Sequence, residues 1–378
     1  MSNSADLRIE AVGDAARLND FIAVPWHVYA HDPAWVPPLK LERREALHAK
    51  HPYFKHAEWQ AWVMYDGATP IARISAQIDA LHLERYGDAT GHFGMIEAPD
   101  EPAIFELLFR TCEAWLRERG MKRVTGPHNL SVNQEVGVLV EGFDTPPFIM
   151  MGHSRPYYGD AVAANGYIGA KDLLAYEVAP NFDAPRVMRA LCKRLASRVE
   201  LRDINKKNLD QDLEVMRDIF NDAWSENWGF VPFTEEEFNA VGRELMTWVD
   251  DDFMKIAIVD GEPGAFIAAL PNINEAIADL NGGLLPFKWA KFLWRLKVRY
   301  PRTARVPLMG VRKRYQHTHM GPGLAFLIID SVRWALHRRG VEIVEMSWIL
   351  EDNAGMRNII ESMGGVLTKR YRMYEKTL

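Results

Sequence analysis

The stretch Val311–Gly340, VRKRYQHTHMGPGLAFLIIDSVRWALHRRG, decides how this 378-residue chain is read. It reads as a strand end, a tight loop and a long helix. From Leu324 apolar residues recur at helical spacing until Gly340 stops the pattern. The loop before the helix holds His317, His319, Gly321, Pro322 and Gly323. A helix N-terminus presents backbone N–H groups and a partial positive charge, and residues without bulk let an anion come close. Such a loop suits the pyrophosphate of an acyl carrier. It equally suits a plain strand-to-helix turn, so the flanking sequence has to arbitrate.

Outward from the loop, RVPLMGV reads as the strand before it and VEIVEMSWIL as the strand after the helix. A short helix, NAGMRNIIESMG, and a last strand, GVLTKRYRMYEKTL, follow. Upstream, FMKIAIVDGEPGAFIAALP reads as a hairpin about Asp260-Gly261. The same order occurs earlier in the chain. WQAWVMYDG and PIARISAQID form a hairpin about Asp66-Gly67, GHFGMIEA is a third strand, PAIFELLFRTCEAWLRERG a helix and KRVTGP the next strand. Hairpin, strand, helix, strand thus appears twice with few shared identities. The expected fold is α/β, an α+β arrangement with mixed sheets, in two tandem domains over 1–180 and 201–378. A basic helix, Arg186–Arg198, lies in the connection at 181–200.

Composition bounds the rest. A hydrophobic fraction of 48% and a charged fraction of 25% are those of a globular chain. A net charge of -6 argues against a nucleic-acid partner, which needs a basic surface. The two cysteines, Cys112 and Cys192, sit in apolar helical patterns and fit buried thiols in a reducing compartment. No metal-ligand cluster is visible, so no metal is expected. The first 20 residues have no apolar signal-peptide core, and no window approaches the roughly 18 apolar residues of a membrane span. A cytoplasmic location is the expectation.

On the order of elements, the loop and WILEDNAGMRNIIESMGG, the region Leu201–Leu378 resembles the GNAT superfamily of N-acyltransferases. In that superfamily the loop is patterned as Gln/Arg, two residues, Gly, one residue, Gly/Ala. The strand after the helix ends near an Asn that opens a short, glycine-closed helix, as Asn353 and Gly364 do here. The first half has the same element order, so the whole chain resembles a tandem GNAT protein. The resemblance implies an acyl-CoA cosubstrate, fatty acyl-CoA or acetyl-CoA, held by Val311, Gln316, His317, Thr318, His319, Gly321, Gly323, Leu324 and Asn353. Two registers stay open. In the preferred one Tyr315-Gln316 is the aromatic-Gln pair, Tyr315 ends the strand, and His319 stands at the first glycine place with Gly321 at the second. In the other, Gly321 and Gly323 are the pair and Thr318 takes the Gln/Arg place. The counterpart loop in the first half, MIEAPDEPAIFE, has no glycine and carries Glu97, Asp100 and Glu101, which would repel phosphate. That half is expected to have lost carrier binding.

Amide formation needs a base for the amine and an acid for the departing thiolate. Glu345 and Glu351 flank MSWIL on the strand that should face the carrier, and either could be the base. His319 could contact phosphate when protonated or act as a base when neutral. The superfamily often places a tyrosine acid seven residues after the Asn. Ile360 stands there, so Tyr371 or Tyr374 on the last strand, or water, must substitute. For the acceptor, Trp224, Trp228, Phe230 and Phe233 form an apolar wall suited to an alkyl chain. The long loop Gly126–Asp160 offers His128, Asn129, Asn133, Glu135, His153, Tyr157 and Tyr158 for a polar headgroup. Core packing is the rival reading of the aromatics, and turn structure of the polar residues. Between hairpin and loop strand, Phe287–Arg299 reads as a basic amphipathic helix with aromatic residues, suited to the inner membrane surface or to a lipid channel.

The length, the two halves, SWILEDNAGMRNIIESMGG and the amphipathic insert resemble the bacterial ceramide synthases, which join a fatty acyl group to a sphingoid-base amine. That resemblance implies a long-chain lipid amine as acceptor and a lipid-metabolic enzyme with peripheral membrane contact. Two alternatives stay open: an acetyl-CoA-dependent N-acetyltransferase of a small amine or peptide, and a non-catalytic lipid or acyl-carrier binding protein.

Overall fold

Residues 7–378 are described in the computed structural model, and they divide into two units. Unit 1 holds the described residues up to Asp172 together with Ile277–Leu285 and Lys369–Leu378. Unit 2 holds Leu173–Ala276 and Pro286–Thr368. Neither is continuous in sequence.

Unit 1 starts with strand β1 (Leu7–Ala11) and helices α1 (Ala15–Val28) and α2 (Lys40–Ala46). Then come β2 (Ala57–Asp66), β3 (Thr69–Asp79), α3 (Ala80–Tyr86), β4 (Thr90–Glu97) and α4 (Pro102–Glu118). β5 (Arg123–Gly126), the short β6 (His128–Asn129) and β7 (Glu135–Val136), β8 (Val138–Glu141) and α5 (Tyr158–Ala164) complete the run to β9 (Ile168–Val178). β2 is apolar on both faces because both are covered. Trp62 and Met64 join a core with Phe105 and Leu108 of α4, and Val63 and Tyr65 join one with Phe21 and Ile22 of α1. The β2–β3 turn falls at Gly67-Ala68, one residue later than expected, because Asp66 pairs with Thr69. β1 to β4 are antiparallel neighbours in order, and β4 lies parallel to β5.

Unit 2 carries α6 (Arg186–Leu195), β10 (Val199–Asp203), α7 (Leu209–Trp224), α8 (Glu235–Leu245), β11 (Met254–Val259), β12 (Glu262–Pro271), α9 (Asn274–Ile277) and α10 (Lys288–Trp294). After them come β13 (Thr303–Val311), the single turn α11 (Lys313–Gln316), α12 (Met320–Arg338), β14 (Ile343–Leu350), α13 (Ala354–Ser362) and β15 (Val366–Thr377). The β11–β12 turn is Asp260-Gly261, with φ of 50° and 89°, the left-handed pair that a two-residue hairpin needs. β10 to β13 are antiparallel neighbours, β13 and β14 are parallel, and β9 from Leu173 onward runs antiparallel along β14.

The strand beyond the parallel pair is supplied the same way in both units. In unit 2 it is β9, from the end of the first half of the chain. In unit 1 it is β15 from Lys369 onward, whose Tyr374–Thr377 pair with β5 and whose Arg370–Arg372 pair with β8. The last strand, expected to complete the second half, therefore has most of its residues in unit 1. The reason is visible in its side chains. Tyr371, Met373 and Tyr374 are buried, and Arg372 reaches Asp172 at 2.7 Å.

Candidate functional site

The parallel strands of unit 2 pair only from Thr303↔Ile343 to Val306↔Met346. Beyond that, β13 continues against β12 as far as Val311, and β14 continues against β9 as far as Leu350. The two strands part in the middle of the sheet. A buried charge cluster marks the parting. Arg305 and Glu345 are register partners, so their side chains share a face. The Ser347 hydroxyl donates to Glu345 Oε1 at 2.6 Å, and Arg305 Nε donates to Ser347 Oγ at 2.8 Å. Arg305 Nε lies 3.7 Å from Glu345 Oε1, and Glu345 is 0% exposed. Sequence reasoning picked out Glu345 and missed Arg305 and Ser347. The available signal was an arginine inside the apolar strand RVPLMGV, since a charge at a buried position has to be paired.

The loop differs from expectation in one respect. β13 ends at Val311, and Tyr315 lies in the helical turn α11 rather than at the strand end. α11 caps the strand because its neighbours bind it. Gln316 Nε2 donates to Val311 O at 2.7 Å and to Ala223 O of α7 at 3.0 Å. Lys313 pairs with Glu226 and Arg314 with Glu262, each at 2.7 Å. His319 occupies the N-cap position of α12, but its side chain makes no capping bond. Thr318 does that work. Its Oγ1 accepts from Met320 N at 3.1 Å and its carbonyl from Gly321 N at 3.2 Å. Gly321, Pro322 and Gly323 all lie in the first turn of the helix, where the missing proline N–H costs little. Leu324 is buried below them. His317 is the C-cap of α11.

At the far end of β14, Glu351 is the first residue past the strand and is half-buried. Asn353 caps α13, its Oδ1 accepting from Met356 N at 3.0 Å. Arg357 on α13 donates to Glu351 O at 2.8 Å and to the Tyr176 hydroxyl at 3.1 Å, and that hydroxyl donates to Glu361 at 3.0 Å. Tyr176 of β9 stands opposite Met346 of β14 in the register. This buried phenol was not singled out from the sequence, since LLAYEV reads only as an apolar strand. Ile360 is fully buried and apolar, so the usual tyrosine place holds no acid.

The aromatic wall is partly core. Phe230 and Phe233 are buried and pack on Phe220, with ring centroids 6.1 and 5.3 Å away. Trp224 and Trp228 are half-buried, and Trp224 Nε1 donates to Met309 O on the parting stretch of β13 at 2.9 Å. The structure thus places Trp224, Gln316 and the loop around one strand end.

The first-half candidates lie in unit 1, where several of their polar atoms are engaged, while His128 Nε2 and His153 Nδ1 are buried with no hydrogen-bond partner among the described residues. β4 and β5 pair from Thr90↔Arg123 to His92↔Thr125, and the chain's own segment His128–Leu130 then lies against β4. Gln77 Nε2 donates to His128 O at 2.7 Å and to Leu130 O at 2.9 Å, and Asn129 Oδ1 accepts from Met95 N at 2.8 Å. A β-carbon on Gly94 would come within 1.8 Å of His128 O, so glycine is required there. The ring of His128 lies tilted against His92 at 4.3 Å, and burial, aided by nearby His82, pulls its pKa from 6.5 down to about 3. His153 Nε2 meets Asp32 at 3.0 Å. Its pKa is lowered by burial, against the pull of Asp32. The Tyr157 hydroxyl donates to Ala98 O at 2.8 Å, and burial pushes its pKa up to about 12. Tyr371 is fully buried in the unit 1 part of β15, whereas His319, Glu345 and Glu351 belong to unit 2. Glu97 at the counterpart loop forms an ion pair with Arg73. Among the described residues no group of three or more His, Cys, Asp or Glu is placed to hold a metal ion.

No protein-family profile matches the chain. Among solved structures it resembles a tandem GNAT protein from the clavulanic acid biosynthesis pathway, at 12% identity over 98% of each chain with a TM-score of 0.58. It also resembles a GCN5-related N-acetyltransferase from Sphaerobacter thermophilus, at 12% identity over 99% of this chain and 96% of that one, with a TM-score of 0.54. These likenesses show the fold. In sequence the chain is 50% identical to protein YghO of Escherichia coli (strain K12) over 362 residues, 96% of this chain and 93% of that protein. It is 46% identical to the bacterial ceramide synthase of Caulobacter vibrioides over 380 aligned positions, 100% of this chain and 99% of that protein. With the repeated order of strands and the parted parallel strands in hand, these full-length identities place the chain in the family of the Caulobacter ceramide synthase and YghO, and this chain is an acyltransferase of tandem GNAT fold.

Proposed function

We propose that the chain is an N-acyltransferase that moves a fatty acyl group from acyl-CoA to the amine of a sphingoid base, giving a (dihydro)ceramide at the inner membrane surface. The observation that carries this reading is the 46% identity, end to end, with a protein named bacterial ceramide synthase. The geometry of unit 2 supports it. The parting of β13 and β14 leaves strand edges that can receive the amide-bearing arm of a carrier. The start of α12 lies close after the end of β13, where the positive N-terminal end of the helix can face a pyrophosphate. Unit 1, with His128–Leu130 laid along β4 at its own parting and no glycine loop, is read as having no carrier site.

In this reading the acceptor binds as the neutral amine, and Glu351 accepts the one proton that its nitrogen loses on acylation. The amine nitrogen forms a bond to the acyl carbon, the carbon–sulfur bond breaks, and the thiolate takes a proton from water, which the proton on Glu351 restores. Tyr371, fully buried in β15, is given no role in the step, and Ile360 has no proton to give. Glu345, held by Ser347 and Arg305, fixes the point where the strands separate. Trp224 and Trp228 line the acceptor's alkyl chain. His319 can bind phosphate without losing a capping role, because Thr318 caps the helix.

Release of free thiol from palmitoyl-CoA and acetyl-CoA, each with a long-chain and a small soluble amine, tests the reading. Turnover of the long-chain pair is expected. A preference for acetyl-CoA with the small amine would replace it by the acetyltransferase reading. Glu351→Gln should lower kcat by about 10²- to 10⁴-fold, the usual range for a general base, with the carrier KM little changed. An unchanged kcat would remove Glu351 from the mechanism.

A further inference from the structure

Residues Phe287–Arg299 were expected to form a helix with one apolar and one basic face, and core packing was a rival for the apolar face. The structure turns that face outward. α10 continues through a wider turn, Arg295–Arg299, and only Phe292 and Leu296 point into unit 2. The Phe292 ring packs on Trp248 at 5.5 Å. Phe287, Trp294 and Val298 are 79%, 52% and 69% exposed. With Lys291 they recur at spacings of four, three and four, so they form one stripe along the helix. Lys297 and Arg299 flank it and are exposed too.

An outward stripe of aromatic and branched residues costs solvation, and a folded chain rarely keeps one without a partner. The charges beside it select the partner. Every flanking charge from Lys288 to Arg299 is positive, on a chain whose net charge is -6. We propose that this stripe is a membrane wedge: Phe287, Trp294 and Val298 enter the headgroup boundary of an anionic bilayer while Lys291, Lys297 and Arg299 bind its phosphates. Tryptophan favours that boundary, and basic side chains draw the helix to it. Among the described residues no helix is long and apolar enough to cross a membrane, so attachment of this kind is reversible. The proposal deepens the functional reading by naming the surface through which a long-chain acceptor would be met, yet its test needs no turnover.

The purified full-length protein is floated with vesicles of equal parts phosphatidylglycerol and phosphatidylcholine, and with phosphatidylcholine alone. Binding to the anionic vesicles only, weakening as salt rises, is expected. Lys291→Gln with Lys297→Gln should weaken it about fivefold per lysine at low salt. Phe287→Ser with Trp294→Ser should keep weak low-salt attachment and lose the part that survives high salt. Both variants should still release thiol from palmitoyl-CoA with a detergent-dispersed long-chain amine at the parent rate if the functional reading holds. A parent protein that releases no thiol from palmitoyl-CoA with a long-chain amine, with vesicle binding intact, would overturn the functional reading and leave the wedge standing. Parent protein that ignores anionic vesicles, or variants that float as it does, would overturn the wedge. So would a dimer that Phe287→Ser with Trp294→Ser dissolves while vesicles go unbound, since the stripe would then meet a second copy.

Discussion

A methyl group at Gly321 would sit 2.7 Å from Gln316 O and 2.8 Å from Tyr315 O, both backbone atoms that cannot step aside. At Gly323 the closest atom is Leu195 Cδ1 at 2.7 Å, the far end of a flexible side chain on α6. The two glycines therefore answer different demands. Gly321 lets the turn α11 fold back onto the start of α12, and Gly323 lets α6 lie on the helix. Gly321→Ala is expected to shift the loop and weaken acyl-CoA binding at least tenfold, or about 1.4 kcal/mol. Gly323→Ala should change it less than about threefold, because Leu195 can rotate away. Calorimetric titration with a non-hydrolysable acyl-CoA analogue measures both, and equal effects would mean the glycines serve packing alone. The pattern of loop glycines was legible in the sequence. Their division of labour was not, since it depends on α6, more than a hundred residues away in the chain.

At the scale of elements, unit 1 carries a cluster of three histidines, from α3, β4 and β6. His82 meets His92 at 4.8 Å, His92 meets His128 at 4.3 Å, and His92 Nδ1 bonds Thr125 Oγ1 at 2.8 Å. Burial first, and mutual repulsion second, holds His92 well below its ordinary pKa and His128 at about 3. Their pKa values are depressed on folding, so the unfolded chain binds the extra protons. The stability this confers is complete above about pH 6.5 and drains as pH falls toward about 3. Each such histidine tilts the curve by about 1.4 kcal/mol per pH unit in that window. His128→Gln should remove one histidine's share of the slope, read from hydrogen exchange of β4 and β5 amides between pH 4 and 7. Parallel curves for parent and variant would show that His128 does not take part. The histidines themselves were visible, and His128 was expected to face a headgroup. Its placement against His92 comes from a strand register that no local pattern encodes.

For the whole molecule, the exchange of closing strands sets what can fold alone. Deleting Lys369–Leu378 removes the partners of β5 and β8, the two Asp172 ion pairs with Arg370 and Arg372, and the bonds of Lys369 Nζ to Gly142 O and Thr145 O. Although the cut is at the C-terminus, the damage should fall on unit 1. Protection of β5 amides is expected to collapse while β12 and β13 keep theirs. The fragment 1–180 alone should show the same loss and regain protection when a peptide of residues 369–378 is added. Collapse in β13 instead would show that the last strand serves unit 2.

The sequence by itself determined the local grammar. It specified two hairpins with their Asp-Gly turns, two long amphipathic helices with glycine stops, the repeated order of elements and the glycine loop at a helix start. Each of these is encoded within a dozen or so residues by periodicity and turn chemistry. Tertiary structure alone decided which strands β9 and β15 pair with, where β13 and β14 part, and why Arg305 can be buried beside Glu345. It also decided that the aromatic stripe of α10 faces outward. Helical periodicity identifies an apolar face but not what covers it, and strand alternation identifies a pleat but not its neighbour. Those choices depend on contacts between residues far apart in the chain, and only the folded molecule brings those residues together.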